Sequence, residues 1–93
     1  MPRPCIRRRV RGNPNCSYFK PQGIRLRHLE ENLLTMPEFE AIRLIDFEEV
    51  AQEKAAKKME ISQPTLSRIL KSSGKKISEA IIKGKAIKIQ KEN

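Results

Sequence analysis

The sequence predicts a mainly α-helical protein with a modest aliphatic core, and two observations support this prediction. Apolar residues between positions 50 and 82 recur at three- and four-residue intervals, which is the period of a helix with one buried face. The chain has one tyrosine, three phenylalanines and no tryptophan among 93 residues, so we expect a modest aliphatic core. Turn and helix signals divide the chain into a basic, mostly irregular arm and loop region at residues 1–34 and a helical domain at residues 35–93.

Charge is distributed unevenly along the chain, whose net charge is +9. Residues 1–29 hold eight basic residues and no acid, residues 30–60 hold four basic and nine acidic residues, and residues 61–93 hold eight basic and two acidic residues. This segregation predicts two basic segments on a polyanion and an acidic scaffold turned away from it. A basic helix on a membrane surface, between Ile77 and Ile89, is the alternative, although no apolar run approaches the ~20 residues of a membrane span.

The N-terminal arm is rich in arginine. Such arms of DNA-binding domains lie in the minor groove, where the negative potential is strongest. A solvated tail with no fixed partner fits the residue types equally well, so both interpretations stay open. The arginines in question are Arg7, Arg8, Arg9 and Arg11.

Residues 12–23 contain glycine, proline and asparagine at close intervals and predict a loop. We expect Tyr18 and Phe19 to hold this loop on the core, with base stacking by Tyr18 as the alternative. Between residues 24 and 34 we expect a short helical turn near Arg27–Glu30 and an extended piece at Leu33–Leu34.

Metal ligands and catalytic groups are sparse. Cys5, Cys16 and His28 lack the close pairing of a zinc site, so we expect no metal and no cofactor. A glycine-rich phosphate loop and a nucleophile signature near the single histidine are both absent from the sequence, which indicates that the protein is not an enzyme. Two cysteines without an apolar export signal indicate free thiols in the cytoplasm.

The first long helix is predicted by the segment Thr35-Met36-Pro37-Glu38. Thr35 and Glu38 have the spacing of a capping box, and Pro37 fits a first helical turn. We expect the helix to run from Pro37 to about Asp46 and its acids to lie at helix starts and on the surface, Glu38 and Glu40 among them. Its expected core residues are Phe39, Ile42, Leu44 and Ile45.

Residues 50–82 have the pattern of a helix-turn-helix. A short helix leads to a tight turn at Glu60-Ile61, and Ser62 is a good N-cap for a second helix because its hydroxyl can accept from a free amide of the first turn. Ala56 allows the second helix to approach closely, and Ile61 fills the turn. Gly84 ends the long second helix, and we expect residues 85–93 to fray.

The second helix has two predicted faces. An expected core stripe contains Leu66, Ile69, Leu70, Ser73, Ile77 and Ile81. The residues expected to point outward are Gln63, Thr65, Ser67, Arg68, Lys71 and Ser72, with Lys75 and Lys76 one turn further on. Gln and Arg can bind base edges, whereas Ser, Thr and Lys can hold phosphates. An amphipathic core helix with a solvated polar face is the simpler alternative.

Five sequence blocks spread over nearly the whole chain are distinctive: MPRP, RRRV, YFKPQGI, LTMPEFEAIRLIDFE and QEKAAKKMEISQPTLSRIL. With them the chain resembles an uncharacterised prokaryotic family of predicted DNA-binding proteins, domain of unknown function 134 (uncharacterised protein family 0251). The second half is also similar to region 4 of sigma factors, which grips promoter DNA. The resemblance implies a wingless, sigma-region-4-like fold. It also implies the groove-facing residues, which are Ser62, Gln63, Thr65, Ser67 and Arg68. The chain departs from the family at Glu49 and Glu60, where glycine is common, and Gly74 lies within the long helix.

From these observations we expect a transcription regulator that binds double-stranded DNA, with the helix at residues 62–73 in the major groove. We also expect a homodimer, since one such unit buries little DNA surface. Composition alone would equally fit a basic RNA-binding or ribosome-associated protein, although RNA readers mostly use sheets, loops and stacked aromatics. A protein-interaction module in which the same helix grips a partner is a further alternative.

Overall fold

The computed structural model describes residues 18–90. Within this range the chain is mainly α-helical, as the sequence predicts, and it also contains a small sheet, of which the sequence predicts only the extended piece at Leu33–Leu34. The helices and strands follow in the order β1 (Tyr18–Phe19), a 3-10 turn (Leu26–His28), β2 (Glu31–Leu34), α1 (Met36–Ile42), a π-helical turn (Arg43–Phe47), α2 (Gln52–Met59), α3 (Gln63–Lys83) and β3 (Ala86–Ile89).

The sheet has the order β1-β3-β2, so the last strand lies in its centre. β3 is antiparallel to β1 and parallel to β2. The backbone N–H of Ala86 donates to the carbonyl of Glu30, and that of Gln90 donates to the carbonyl of Leu34, both at 2.8 Å. The expectation that the chain frays after Gly84 is therefore wrong for residues 85–90, because strand pairing on both sides holds them. The sheet also joins the two predicted regions, residues 1–34 and 35–93, because β3 of the second region pairs with β1 and β2 of the first.

The hydrophobic core is aliphatic, as predicted. It lies where α1 and the π-helical turn meet α2 and the first half of α3. Two alanines of α2 are buried there, which allows the helix backbones to approach closely. The fully buried members of this cluster are Ala41, Leu44, Ala55, Ala56, Met59 and Leu66, and Val50, Ile61 and Ile69 are among the half-buried side chains that pack against it.

The start of α1 is formed by the predicted capping box. The backbone N–H of Glu38 donates to Oγ1 of Thr35 at 3.3 Å, and the backbone N–H of Thr35 donates to Oε1 of Glu38 at 2.8 Å. Both groups would otherwise be unpaired at the start of the helix. The structure also buries the side chain of Glu38, which the sequence led us to expect at the surface.

The end of α1 differs from the prediction. Regular α-helical geometry stops at Ile42 and the chain widens into a π-helical turn, in which the N–H of Glu48 donates to the carbonyl of Arg43, five residues earlier, at 2.9 Å. The guanidinium of Arg43 spans this turn: it binds both carboxylate oxygens of Glu40, at 2.9 and 2.8 Å, and also contacts Glu48. This bidentate pair explains why Glu40 is buried rather than exposed as expected.

Three apolar side chains that were expected to contact the core are exposed instead. Ile81 is 74% exposed. In this turn of α3 the buried residue is its neighbour Ala80, which directs Ile81 toward solvent. Tyr18 and Phe19 belong to the short strand β1 and are exposed as well. Among the described residues, no helix has both the length and the apolar character needed to cross a lipid bilayer.

Candidate nucleic-acid interface

α2 and α3 are joined by a tight turn at the predicted place. Glu60 adopts the left-handed conformation, with φ of 61° and ψ of 44°, and the N–H of Ile61 donates to the carbonyl of Ala56 at 3.0 Å. Left-handed backbone costs a residue with a Cβ atom about 1–2 kcal/mol. The buried contacts of Ala56 and the half-buried side chain of Ile61 hold the turn in this conformation.

Ser62 caps α3, as the sequence predicts. Its hydroxyl oxygen accepts from the backbone N–H of Thr65 at 3.3 Å, and the hydroxyl donates to Oγ1 of Thr65 at 2.9 Å. Pro64 lies in the first turn, where a missing N–H costs no helical hydrogen bond. The two hydroxyls are therefore committed to each other at the start of the helix, and Thr65 is half-buried.

The direction of the exposed face of α3 is set by Leu66. Its side chain is 0% exposed and belongs to the same cluster as Met59 and Ala56 of α2. With Leu66 inward, the opposite side of the helix carries polar and basic side chains that reach solvent. The exposed residues of this face, which we call the basic face of α3, are Gln63, Ser67, Arg68, Lys71 and Lys75.

Lys76 does not share this face, contrary to the sequence-based expectation. Its ammonium donates to Oε1 of Glu38 at 2.8 Å and to the carbonyl of Leu33 at 2.7 Å. The hydroxyl of Ser72 donates to the other carboxylate oxygen of Glu38. The helix therefore directs Ser72 and Lys76 toward α1 and β2, and both side chains fasten α3 to the rest of the protein.

The carboxyl group of Glu38 is the centre of this arrangement. Burial alone would raise its pKa, but hydrogen bonds from Lys76, Ser72 and Thr35 favour the charged form and outweigh the effect of burial. The pKa of Glu38 therefore lies below its ordinary value. An ionised carboxylate at this point holds α1, α3 and the edge strand β2 together.

A second group of basic side chains lies on α2, and the sequence reasoning missed it. Lys54, Lys57 and Lys58 are exposed, while Ala55 and Met59 are buried. Their spacing could have predicted this group, because the three lysines occupy positions i, i+3 and i+4, which lie on one side of a helix. These lysines stand on the helix that precedes the turn and enlarge the positive surface of the helix pair.

The remaining candidates from the sequence are a group that lies outside the described residues and one exposed histidine. The arginines of the N-terminal arm, together with Cys5 and Cys16, lie outside the described residues. His28 is exposed and accepts a weak hydrogen bond of 3.4 Å from Nε of its neighbour Arg27. Over residues 18–90, no group of three or more His, Cys, Asp or Glu side chains could hold a metal ion.

These features define a small, mainly helical protein with a basic, exposed helix face. The chain belongs to the family described as "Protein of unknown function DUF134", whose model matches residues 1–92. It is 50% identical over 93 residues to a UPF0251 protein of Caldanaerobacter subterraneus, covering all of this chain and 79% of that protein. It is 49% identical over 90 residues to a UPF0251 protein of Moorella thermoacetica, covering 97% of this chain and 60% of that protein. No solved structure matches.

Proposed function

We propose that this protein binds double-stranded DNA with sequence preference through a helix-turn-helix formed by α2, the turn at Glu60 and α3. The observation that carries the proposal is the orientation of α3. Leu66 is fully buried against α2, so the opposite face of α3 is free to enter the major groove with Arg68 and its polar neighbours. A helix held in this way by a tight turn and a capped N-terminus suits recognition that requires fixed side-chain positions.

The side chains of this face have different roles in the proposal. Gln63 and Arg68 are the residues that can read base edges, because each can form two hydrogen bonds with one base. Ser67, Lys71 and Lys75 would contact phosphates, with the lysines of α2 adding attraction that does not depend on sequence. Ser62 and Thr65, whose hydroxyls bind each other, would position the helix end near the backbone of the DNA.

Two acidic groups of α1 are buried and paired with basic side chains. Glu38 is buried and paired with Lys76, and Glu40 is buried and paired with Arg43. Neither carboxylate therefore opposes the cations on the basic face of α3, which favours approach of that face to a polyanion. From the sequence resemblance of its second half to sigma region 4, we further propose that the bound DNA lies in promoters and that the protein regulates transcription.

One observation favours RNA as a second candidate partner. The sheet exposes Tyr18, and Nζ of Lys88 lies 5.8 Å from the centroid of its ring. An exposed aromatic ring beside a cation on a sheet can stack an unpaired base. The surface is small, however, and a single exposed tyrosine offers a much weaker platform than the aligned basic face of α3.

Selection from random duplexes, followed by binding titrations on the enriched sequence, tests the proposal. Arg68→Ala should weaken binding to the enriched duplex by about 1–3 kcal/mol and relax the preference at one base pair. Arg25→Ala is the matched control, since Arg25 is exposed outside the helix pair, and it should change binding little. Failure to enrich any duplex would contradict the proposal. Tighter binding to single-stranded RNA, lost in Tyr18→Ala, would favour the second candidate.

A further inference from the structure

An exposed phenylalanine lies at the end of the π-helical turn that follows α1. Phe47 is 81% exposed at the end of the π-helical turn, and its neighbours in the chain are acidic. Asp46 and Glu49 are both exposed, and the structure gives neither of them an ion pair within residues 18–90. We call the segment of residues 46–49 the acidic knob.

The acidic knob is held in a fixed conformation. Glu49 is left-handed, with φ of 58°, and the N–H of Val50 donates to the carbonyl of the buried Leu44 at 2.8 Å. The guanidinium of Arg43 holds Glu48 from the other side. A costly backbone conformation and a charged clamp therefore support a loop whose aromatic side chain contributes nothing to the core.

A groove that complements the knob lies at the other end of the protein, between β1, β3 and the end of α3. It encloses a volume of about 370 Å³, and its apolar walls are formed by Phe19, Pro21, Ala80, Ile81 and Ile87. Lys20 lies at its rim, with its ammonium bound to a neutral backbone carbonyl, so that its charge is not cancelled. Lys85 also lines the groove, but its ammonium is held by Glu79 at 2.9 Å and by Glu30 at 3.3 Å, so Lys20 is the lining lysine whose charge is not paired with an acid.

The knob and the groove of one chain cannot meet. The knob adjoins Leu44 and Val50, which pack in the cluster that contains Leu66 near the start of α3. The groove begins at Ala80, and a helix rises about 1.5 Å per residue, so these two positions on α3 are roughly 20 Å apart. Any contact between the two surfaces therefore has to form between molecules.

We propose that two copies of this chain form a two-fold dimer in which the acidic knob of each copy occupies the apolar groove of the other. The ring of Phe47 would lie against Phe19 and Ile81, and edge-to-face aromatic contact would add to the apolar burial. The knob carboxylates would face Lys20. In the two-fold arrangement each copy inserts one knob and receives another, so both knobs and both grooves are occupied and the assembly closes. It does not depend on DNA binding.

Sedimentation equilibrium of the full chain without DNA tests the dimer. The parent protein should dimerise in the micromolar range and dissociate at high salt, because charged groups flank the contact. Phe47→Ser and Ile81→Ser should each raise the dissociation constant at least tenfold. Ile82→Ser is the matched control: Ile82 is 81% exposed but does not line the groove, so this variant should remain dimeric. Circular dichroism checks that all three variants fold.

A mixing experiment separates this dimer from other modes of association. The Phe47→Ser protein keeps its groove and the Ile81→Ser protein keeps its knob, so a mixture should form heterodimers that have one intact contact. Each variant on its own should stay monomeric, because it lacks either an intact knob or an intact groove. A parent protein that stays monomeric up to about 1 mM would overturn the proposal. Loss of the dimer in Ile82→Ser to the same extent, or a mixture that stays monomeric, would overturn it too.

Discussion

Nζ of Lys76 in α3 lies 2.8 Å from Oε1 of Glu38 in α1, and the same ammonium donates to the backbone carbonyl of Leu33 in β2. A single lysine thus connects the long helix with the first helix and with the edge of the sheet. The carboxylate of this pair is buried and the lysine is half-buried, so removal of Lys76 leaves a buried charge without this partner, which costs more than loss of a surface pair. The orientation of α3 therefore depends on a residue that does not belong to its exposed face.

The ion pair between Glu38 and Lys76 makes the free energy of unfolding sensitive to acid. Because the pKa of Glu38 is lowered in the folded protein, its carboxylate stabilises the fold fully above the unfolded pKa, about 4.3. This contribution is lost as the pH falls through the lowered folded pKa. Urea unfolding between about pH 6 and pH 3 should show a steeper loss of stability in the parent than in Glu38→Gln.

The matched control for this prediction is Glu53→Gln, which changes an exposed carboxylate at the start of α2. It should retain the pH dependence of the parent. Parallel curves for the parent and Glu38→Gln would show that the carboxyl group of Glu38 does not titrate differently in the folded and unfolded states.

Leu66→Ala should destabilise the protein by about 2–5 kcal/mol, since the buried side chain leaves a cavity between α2 and α3. Urea unfolding measures the change. Ser67→Ala is the control at the next position, where an exposed side chain should change stability by less than about 0.5 kcal/mol. A Leu66→Ala protein as stable as the parent would mean that α3 does not pack on α2 through this residue.

Signals within a few residues of each other were predictable from the sequence. The capping box of Thr35 and Glu38, the turn at Glu60, the cap at Ser62 and the stop at Gly84 each depend on local hydrogen bonds or local backbone geometry. Such features are confirmed at the predicted positions. They placed the end of α2 and both ends of α3 correctly, and through Leu66 they also predicted which side of α3 is exposed near its start.

Features that join distant parts of the chain were not predictable in the same way. β3 has only four residues, and its partner β2 lies some 55 positions earlier, as in the pair Leu34 and Ile89. Four residues are too few for hydrophobic periodicity to distinguish a strand from a helix, so the strand becomes recognisable only when its partner strands are known. The same holds for Lys76, which the helical period places near Lys75 but which turns to Glu38, 38 residues away.

Gly74→Ala should stabilise the protein by about 0.5–1 kcal/mol, because glycine in the interior of a helix is less favourable than alanine. Gly74 lies in the middle of α3, and a Cβ atom added there would meet nothing within 4 Å. Gly84→Ala is the contrasting variant: Gly84 is left-handed, with φ of 71°, so alanine should be destabilising there. Thermal melts of both variants check the two signs, and equal shifts in one direction would contradict the argument.

The two neighbouring lysines Lys75 and Lys76 provide the sharpest test of the proposed interface. Lys75 is exposed on the basic face of α3, whereas the ammonium of Lys76 is held by Glu38 and Leu33. A lysine that neutralises one phosphate adds about 0.9 to the slope of log affinity against log salt. Lys75→Ala should therefore reduce this slope by about one unit and leave the melting temperature nearly unchanged. Lys76→Ala should lower the melting temperature and leave the slope close to that of the parent. Salt titrations on one duplex, at a temperature where both variants are folded, measure the difference. The reverse pattern would place Lys76 on the DNA and remove Lys75 from the interface.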